Sequence, residues 1–208
     1  MLKKALIAIV LLALLLVIVG FLLPAKIHVE RSAVIDAPPA VVFGLIDDFH
    51  NFNKWSPWAE MDPATRYTFE GPDQGVGHRM HWDSDNPKVG SGSQEIIESV
   101  PESLVRTHLD FGANGVATAT FHLERAGSGT QVTWGLDTDL GNNPAFRYFG
   151  LFFDRMVGPD YEKGLSLADR IHNAGRAVVW SGHREAAELY WERLKGFGLT
   201  MAPLDSAP

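Results

Sequence analysis

An uninterrupted apolar run at the N-terminus sets the first limit on the fold. From Ala5 to Leu23 no side chain is charged or polar, and a helix of about 19 residues spans a hydrocarbon core of ~30 Å. A secretory signal peptide has a shorter apolar core and small residues before its cleavage site, whereas this run ends in Leu22, Leu23 and Pro24. We expect residues 1–25 to form an uncleaved membrane anchor, with a cleaved signal peptide as the alternative.

The charges that flank this run predict how the anchor is oriented. Lys3 and Lys4 precede it, whereas Lys26 and Arg31 follow it with Glu30 between them. Loops rich in Lys and Arg stay in the cytoplasm. The flanks therefore favour a single-pass protein with a cytoplasmic N-terminus and an extracytoplasmic domain.

Composition narrows the function classes. A chain of 208 residues is long enough for one domain with extensions. The formal net charge of −7 argues against a nucleic-acid-binding surface. The chain has no cysteine, which excludes disulfides, thiolate metal sites and cysteine nucleophiles.

Beyond the anchor, the apolar pattern predicts one strand, two short helices, six more strands and a long helix. The first helix is expected from Pro38 to Asp47, the second in residues 48–53, and the long one from Ala145 to about Ala174 with a kink or break at Gly158-Pro159. A further helix is expected over Arg176–Lys195. The predicted strands are Ile27–Ile35, Arg66–Glu70, Val76–Trp82, Ser91–Val100, Leu104–Phe111, Val116–Arg125 and Thr130–Leu140.

The strands can be checked against one another at the hairpin near Asn114. A three-residue loop, Ala113-Asn114-Gly115, would place Gly115 where such loops need a positive φ. This register sorts apolar residues to one face and polar residues to the other, as a half-buried sheet requires. The apolar-face pairs it predicts are Leu109 with Ala119, Thr107 with Phe121, and Val105 with Leu123.

Two tryptophans stand close together in the stretch NFNKWSPWAEMDP. Trp55 and Trp58 flank a Ser-Pro pair, and Pro57 and Pro63 interrupt any continuous helix or strand here. Large aromatic side chains are usually buried. We expect both tryptophans to plug the core, and the alternative is that they close the mouth of a ligand site.

Four stretches of the chain resemble motifs of one protein superfamily. The resemblance is to the START-like, or SRPBCC, superfamily, and in particular to its polyketide cyclase/dehydrase-like branch, and it covers Lys26 to Ala174. The stretches are VIDAPPAVVF at Val34–Phe43, KWSPW at Lys54–Trp58 with Asp62-Pro63, GSGTQVTW at Gly127–Trp134, and DYEKGL at Asp160–Leu165.

This resemblance implies an α+β helix-grip fold, in which a curved antiparallel seven-stranded sheet wraps around a long C-terminal helix. The helix-grip domain would cover residues 26–174, and residues 175–208 would form a helical extension and tail. Members of the superfamily hold lipids, polyketides and other apolar molecules between the sheet and the long helix. The resemblance therefore implies a cavity without motif-defined catalytic residues.

The predicted faces supply candidate residues for this cavity. An apolar pocket with few polar groups is typical of small-molecule sites, although any of these residues could simply pack the core. His78 shares their face and is the weak candidate for a catalytic acid or base. The binding candidates are Met80, Trp82, Val105, Leu109, Phe121, Trp134, Phe149, Phe153 and Met156, with Trp55 and Trp58 at one end of the cleft.

The polar face of the sheet raises the question of a metal site. His108 and His122 lie near each other in the predicted register, and His81 points to the same side. Zinc needs three or four convergent ligands, and neither H-x-H nor H-E-x-x-H occurs. We expect a solvated sheet face, no metal and no cofactor.

Three functions remain open on the sequence alone. The first is a membrane-anchored domain that binds or transfers a hydrophobic small molecule or lipid. The second is a cyclase- or dehydrase-like enzyme with His78 as its acid–base group. The third is an envelope scaffold whose domain binds another protein.

Overall fold

The structure, a computed structural model, describes residues 2–173. These residues form one helix, one strand, three short helices, six strands and one long helix. The order agrees with the prediction except that the third short helix was not predicted. The predicted helix over Arg176–Lys195 and the predicted extension 175–208 lie outside the described residues. The helices are α1 (Leu2–Leu22), α2 (Pro39–Ile46), α3 (Phe49–Phe52), α4 (Pro57–Met61) and α5 (Pro144–Asn173), and the strands are β1 (Lys26–Ile35), β2 (Arg66–Glu70), β3 (Arg79–Asp83), β4 (Ser91–Val100), β5 (Leu104–Asp110), β6 (Val116–Ala126) and β7 (Gly129–Asp139).

All seven strands form one antiparallel sheet in the order β1-β7-β6-β5-β4-β3-β2. The first strand of the domain thus pairs with the last, and the strands between them follow one another along the sheet. A β-bulge between Ile96 and Glu98 interrupts the β4–β5 ladder, and bulges bend strands. The predicted α+β fold, a curved sheet with a long C-terminal helix, is confirmed.

The two faces of the sheet separate by alternation, as the sequence predicted. On β6, Ala117, Ala119, Phe121 and Leu123 are buried, and the residues between them face outward. The same alternation continues through Val132, Trp134 and Leu136 on β7. The inward face forms the core with α2, α3 and α5.

The predicted register of the β5–β6 hairpin is wrong by two residues. Leu109 pairs with Ala117 instead of Ala119, and Val105 pairs with Phe121. The connection has five residues, 111–115, and includes a 3-10 turn over Gly112–Asn114. Because side chains alternate with a period of two, a two-residue shift leaves every side chain on its predicted face.

Two element boundaries differ from the prediction. Strand β3 begins at Arg79 and not at Val76, because Gly75 and Gly77 have φ values of 78° and 88° that end the extended backbone. The stretch NFNKWSPWAEMDP contains α4 and the end of α3. Pro57 is the first residue of α4, where a missing N–H costs nothing, and Pro63 lies beyond the end of that helix.

A kink or a short break was predicted at Gly158-Pro159, but helix α5 continues through Pro159, so there is no break. The inward-facing Arg31 of β1 holds this part of the helix. Its guanidinium donates hydrogen bonds to both carboxylate oxygens of Asp154 at 2.8 and 3.0 Å and to Glu162 at 2.8 Å. A Cβ on Gly158 would lie 2.1 Å from Arg31 Nη2. The absence of a side chain at this position lets the guanidinium lie against the helix between its two carboxylates.

The C-terminal half of α5 packs closely on the sheet through an aromatic contact. The ring of Tyr161 stacks on Trp134 of β7 with centroids 3.9 Å apart, and Trp134 stacks in turn on Phe121 at 4.8 Å. One turn further along, a Cβ on Gly164 would lie 2.8 Å from the Trp134 ring and 3.2 Å from Pro57. Because an added Cβ would be too close to both rings, this position of α5 needs a glycine.

Helix α1 is long and apolar enough to cross a membrane, and it contacts the start of α5. The Tyr148 hydroxyl donates to the Leu16 carbonyl at 2.6 Å, and Arg147 Nη1 donates to the Phe21 carbonyl at 2.8 Å. Gly20 is buried against Pro144.

Replacing Gly164 by alanine should lower stability even though alanine favours helices. The new methyl group meets two rigid rings, and overpacking of this kind typically costs about 1–3 kcal/mol. Gly44→Ala is the matched control, since Gly44 lies in α2 with no atom within 4 Å of an added Cβ. It should gain up to about 1 kcal/mol from helix propensity.

Denaturant unfolding of the detergent-solubilised full-length chain, followed by near-ultraviolet circular dichroism, measures both effects. Equal gains for the two variants would contradict the close packing of α5 on Trp134.

Candidate functional site

A cavity of about 400 Å³ lies between the sheet, helices α3 and α4, and α5. Its volume is within the range of small-molecule sites, about 300–1,000 Å³. Most of its wall is aromatic or aliphatic. It is lined by Phe52, Asn53, Ser56, Trp58, Tyr67, Met80, Trp82, Lys88, Val89, Gln94, Leu109, Phe111, Asn114, Val116, Ala117, Leu136, Thr138, Leu140, Phe153, Val157 and Tyr161.

Five of the predicted binding residues line this cavity. Met80 and Trp82 come from β3 and Leu109 from β5, so alternate residues of two strands face the same space. Phe153 contributes from the first half of α5, and Trp58 from α4.

Four other candidates lie in the buried core beside the cavity and are not part of its lining. Trp55, Val105, Phe121 and Trp134 are each at most 2% exposed. The Trp55 indole N–H donates to the Leu45 carbonyl at 2.9 Å, which fixes the ring. These four residues belong to the core and pack behind the residues that line the cavity.

The remaining two candidates, Phe149 and Met156, lie on the outer face of α5. Each is 60% exposed among the described residues, so neither lines the cavity. The sequence pattern identified the helix as apolar but could not tell which of its stripes faces the sheet, because α5 carries apolar residues on more than one side.

The two tryptophans of the stretch NFNKWSPWAEMDP have different roles. Trp55 is buried in the core, as the plug interpretation predicts. Trp58 is only partly buried, packs edge-on against Trp134 with centroids 5.9 Å apart, and lines the cavity. Trp58 thus joins the core to the wall of the site.

The polar groups at the cavity are few and mostly engaged. Gln94 is buried, and its amide nitrogen donates to Thr107 Oγ1 at 2.9 Å. The Asn53 amide donates to Met80 Sδ at 3.0 Å. Lys88 is exposed and is the only charged residue among the lining residues that the structure describes. Tyr67 is half-buried, and burial raises the pKa of its phenol, which keeps it neutral.

Sequence reasoning missed several lining residues, for two reasons. Phe111 and Ala117 could have been found, since each alternates with a residue already assigned to the inner face, Leu109 and Ala119 respectively. Lys88 and Asn114 belong to connections between strands, where no periodicity indicates the direction of a side chain.

The candidate catalytic residue His78 is not part of the cavity lining. It is 1% exposed and lies just before β3, where its ring stacks on Phe49 of α3. Its Nδ1 lies 2.6 Å from the Pro72 carbonyl oxygen. Among the described lining residues there is no carboxylate and no imidazole.

The histidines of the polar face are further apart than the sequence predicted. His108 pairs with Thr118, whereas His122 pairs with Leu104, four residues further along β6. At about 3.3 Å per residue, this places the two backbones ~13 Å apart. His28 on β1 pairs instead with Asp137 at 2.8 Å, and this hydrogen bond raises the pKa of the imidazole.

Trp55→Ala and Trp58→Ala should differ in their effect on stability. Loss of the fully buried Trp55 ring should cost about 3–5 kcal/mol, the usual value for a large aromatic in a core. Loss of the partly exposed Trp58 ring should cost less than half as much, because its site opens onto the cavity. Urea unfolding of the full-length chain measures both, and equal losses would contradict the different placement of the two rings.

Comparisons with known proteins agree with this architecture. A family model described as "Polyketide cyclase / dehydrase and lipid transport" matches residues 26–171, which confirms the resemblance inferred from the sequence motifs. Protein Ms6760 of Mycobacterium smegmatis is 15% identical with a TM-score of 0.51, and the match covers 72% of this chain and 93% of that one. A protein of Arthrobacter aurescens is 16% identical with a TM-score of 0.53, covering 76% and 92%. At these identities the likeness shows the fold alone.

A second, shorter match has a higher identity. The ATP-dependent Clp protease adapter protein ClpS of Nostoc is 51% identical over 41 residues, which are 20% of this chain and 42% of the adapter. The adapter of Thermosynechococcus vestitus is 48% identical over 44 residues, 21% and 47% of the two chains. This chain therefore spans less than half the length of the curated relatives that it matches.

Proposed function

The chain belongs to the polyketide cyclase/dehydrase and lipid transport family, and on this premise we propose that it binds a hydrophobic small molecule or lipid while α1 anchors it in a membrane. The observation that carries the proposal is the apolar cavity beneath α5, which is continuous with the core but not filled by it. The members of the family are described by lipid transport as well as by cyclase and dehydrase activity. Binding needs only an apolar lining of suitable volume, and it needs no catalytic group in the cavity.

The polar groups suggest how such a ligand would be oriented. The apolar body of the ligand would lie against Met80, Leu109 and Phe153, since burying apolar surface is favourable by about 25 cal/mol per Å². Lys88 would then stand at the exposed rim and favour a ligand with an acidic end. We therefore favour an acidic amphiphile over a wholly apolar molecule.

The contacts between α1 and α5 support a membrane location for the binding domain. Leu16, whose carbonyl accepts the Tyr148 hydrogen bond, lies six residues before the end of α1 at Leu22. At 1.5 Å per residue this is about 9 Å of helix. If α1 spans the bilayer, the first turns of α5 then lie at the membrane interface.

The outer face of α5 fits this location. A stripe of apolar residues spaced three or four apart is more than half exposed among the described residues, and it consists of Phe146, Phe149, Phe152 and Met156. Phe153, next to Phe152 in the chain, lines the cavity. An apolar helix face of this kind can lie in the headgroup region. A ligand could then pass between the bilayer and the cavity without crossing water.

An enzymatic function is supported less well. A cyclase or dehydrase needs an acid or base within hydrogen-bond reach of its substrate, and the described lining offers only Lys88 and the phenols of Tyr67 and Tyr161 as titratable groups. Burial raises the pKa of Tyr161, as it does that of Tyr67. His78 would have to act from outside the cavity.

Filling the cavity should remove the ligand. Ala117 is buried on β6 and lines the cavity, whereas its neighbour Thr118 faces the other side of the sheet. Ala117→Phe places a ring in the space, and Thr118→Phe places the same ring outside it. The full-length chain and both variants are purified in a mild detergent, and their organic extracts are compared by liquid chromatography and mass spectrometry.

We expect one apolar compound in near-stoichiometric amount from the parent chain and from Thr118→Phe. Ala117→Phe should retain at least tenfold less. Equal recovery from all three proteins would mean that the extracted lipid is held by the anchor and would contradict the proposal.

The match to the Clp adapters favours a second candidate function, in which this chain delivers proteins to an ATP-dependent protease. That function needs the domain to face the compartment that contains ATP. For the first candidate function we expect an extracytoplasmic domain, as the charges that flank α1 predict. The side of the membrane on which the domain lies therefore separates the two.

A single introduced cysteine can report the side, because the chain has none of its own. Ser128 lies in the exposed turn between β6 and β7. We expect Ser128→Cys to react with a membrane-impermeant maleimide in intact spheroplasts as fully as after permeabilisation. Labelling only after permeabilisation would place the domain in the cytoplasm and favour the adapter function.

A further inference from the structure

We propose that Asp48, His50 and His78 form a binding site for a divalent transition-metal ion, with Zn²⁺ as the best match. Asp48 caps the N-terminus of α3, His50 is the second residue of that helix, and His78 ends the connection from β2 to β3. None of the three lines the cavity. No sequence pattern indicates this site, because its residues form neither an H-x-H nor an H-E-x-x-H motif.

The distances between the donor atoms suit a small ion. Asp48 Oδ1 lies 2.9 Å from His50 Nδ1 and 3.8 Å from His78 Nε2, and all three donor atoms lie within 4.8 Å of one another. Tetrahedral ligands at ~2.0–2.1 Å from zinc are themselves ~3.3–3.4 Å apart. The observed distances from Asp48 lie on either side of this value, so small side-chain movements would complete the geometry.

The hydrogen bonding of His78 points to a cation. The Pro72 carbonyl oxygen can only accept, so Nδ1 of His78, 2.6 Å away, carries the proton. In the neutral ring Nε2 then presents a lone pair. This atom is buried, has no hydrogen-bond partner among the described residues, and faces the Asp48 carboxylate. The Asp48 side chain is 21% exposed, but a buried lone pair that faces a second acceptor is unfavourable unless a cation lies between them.

The same arrangement is typical of histidines that bind metals. A metal-binding histidine usually donates its other ring N–H to a carbonyl or carboxylate, which fixes both tautomer and orientation. Here the Pro72 carbonyl fills that role for His78. The Asp48 carboxylate is oriented in turn by the backbone N–H of His50, which donates to Oδ1 at 2.8 Å.

Aromatic rings hold the site in place and limit the alternatives. The His78 ring stacks against Phe49 with centroids 5.0 Å apart, and lies parallel to Phe69 at 6.0 Å. The simplest alternative is a second proton on His78, giving an imidazolium that pairs with Asp48. The distance of 3.8 Å is too long for such a hydrogen bond, whereas a metal ion between the atoms fits it.

The site is open on one side. The His50 side chain is 51% exposed and stacks on Phe69 with centroids 3.8 Å apart. An ion could therefore enter from solvent, and water could supply a fourth ligand. The carboxyl group of Asp47 is buried nearby, and burial raises its pKa above the ordinary value.

A bound ion would tie α3 to the connection before β3. Phe52 and Asn53, at the other end of this short helix, line the cavity. Metal binding would thus stabilise one wall of the cavity without contacting a ligand.

The test uses the full-length chain in detergent, free of any affinity tag and stripped of metal with a chelator. Zn²⁺ is titrated by calorimetry, and the melting temperature is recorded with and without the ion, with Mg²⁺ as the control for a hard cation. We compare His50→Gln, which changes an exposed ligand and should fold, with His108→Gln, an exposed histidine on the polar face of the sheet.

We expect one Zn²⁺ per chain, a higher melting temperature with Zn²⁺ and no change with Mg²⁺. His50→Gln should weaken Zn²⁺ binding at least tenfold, and His108→Gln should leave it unchanged. Zn²⁺ binding that is absent, or that is equal in all three proteins, would overturn the proposal. So would NMR signals showing that His78 carries protons on both nitrogens in the presence of excess Zn²⁺.

Discussion

The contact between Tyr161 of α5 and Trp134 of β7 fixes the position of the long helix on the sheet, and the position of the cavity depends on it. The stacked rings, with Phe121 beneath them and Gly164 beside them, bring the second half of α5 close to the sheet. The first half meets β1 through Arg31 and a close approach of Gly150 to Ile27. Among the described residues, no side chain fills the space between Phe153 and the inner face of β3 to β6, and that space is the cavity.

The short helix α3 connects two features that the sequence did not link. Its C-terminal end supplies Phe52 to the core and to the cavity wall. Its N-terminal end carries Asp48 and His50, which we propose as metal ligands together with His78. A helix of four residues has little stability of its own, so contacts at both ends determine its position. Ion binding at one end would therefore affect the wall of the cavity at the other.

The sequence predicted the fold well because each level of evidence agreed. Alternation identified the faces of the strands, and even a two-residue error in the β5–β6 register kept Leu109 and Phe121 on the inner face. Positions that depend on tertiary packing could not be predicted. A kink or break in α5 was expected at Pro159. The sequence could not show that Arg31 would bind carboxylates on both sides of this proline. Phe149 and Phe153 look alike in the sequence, and only the rotation of α5 places one outside and the other in the cavity. The cluster around His78 depends on a loop conformation with three positive φ angles, at Gly71, Gly75 and Gly77, which no periodicity indicates.

Covalent mapping of a bound lipid tests the central claim most directly. The full-length chain is placed in lipid nanodiscs with a fatty acid that carries a photoactivatable diazirine, irradiated, digested and analysed by mass spectrometry. Binding in the cavity predicts labels on inward residues such as Leu109 and Ala117, which lie on the sheet and far from α1 in sequence. Labels confined to α1 and the exposed stripe of α5 would contradict it, since they would show contact with the bilayer and an empty cavity.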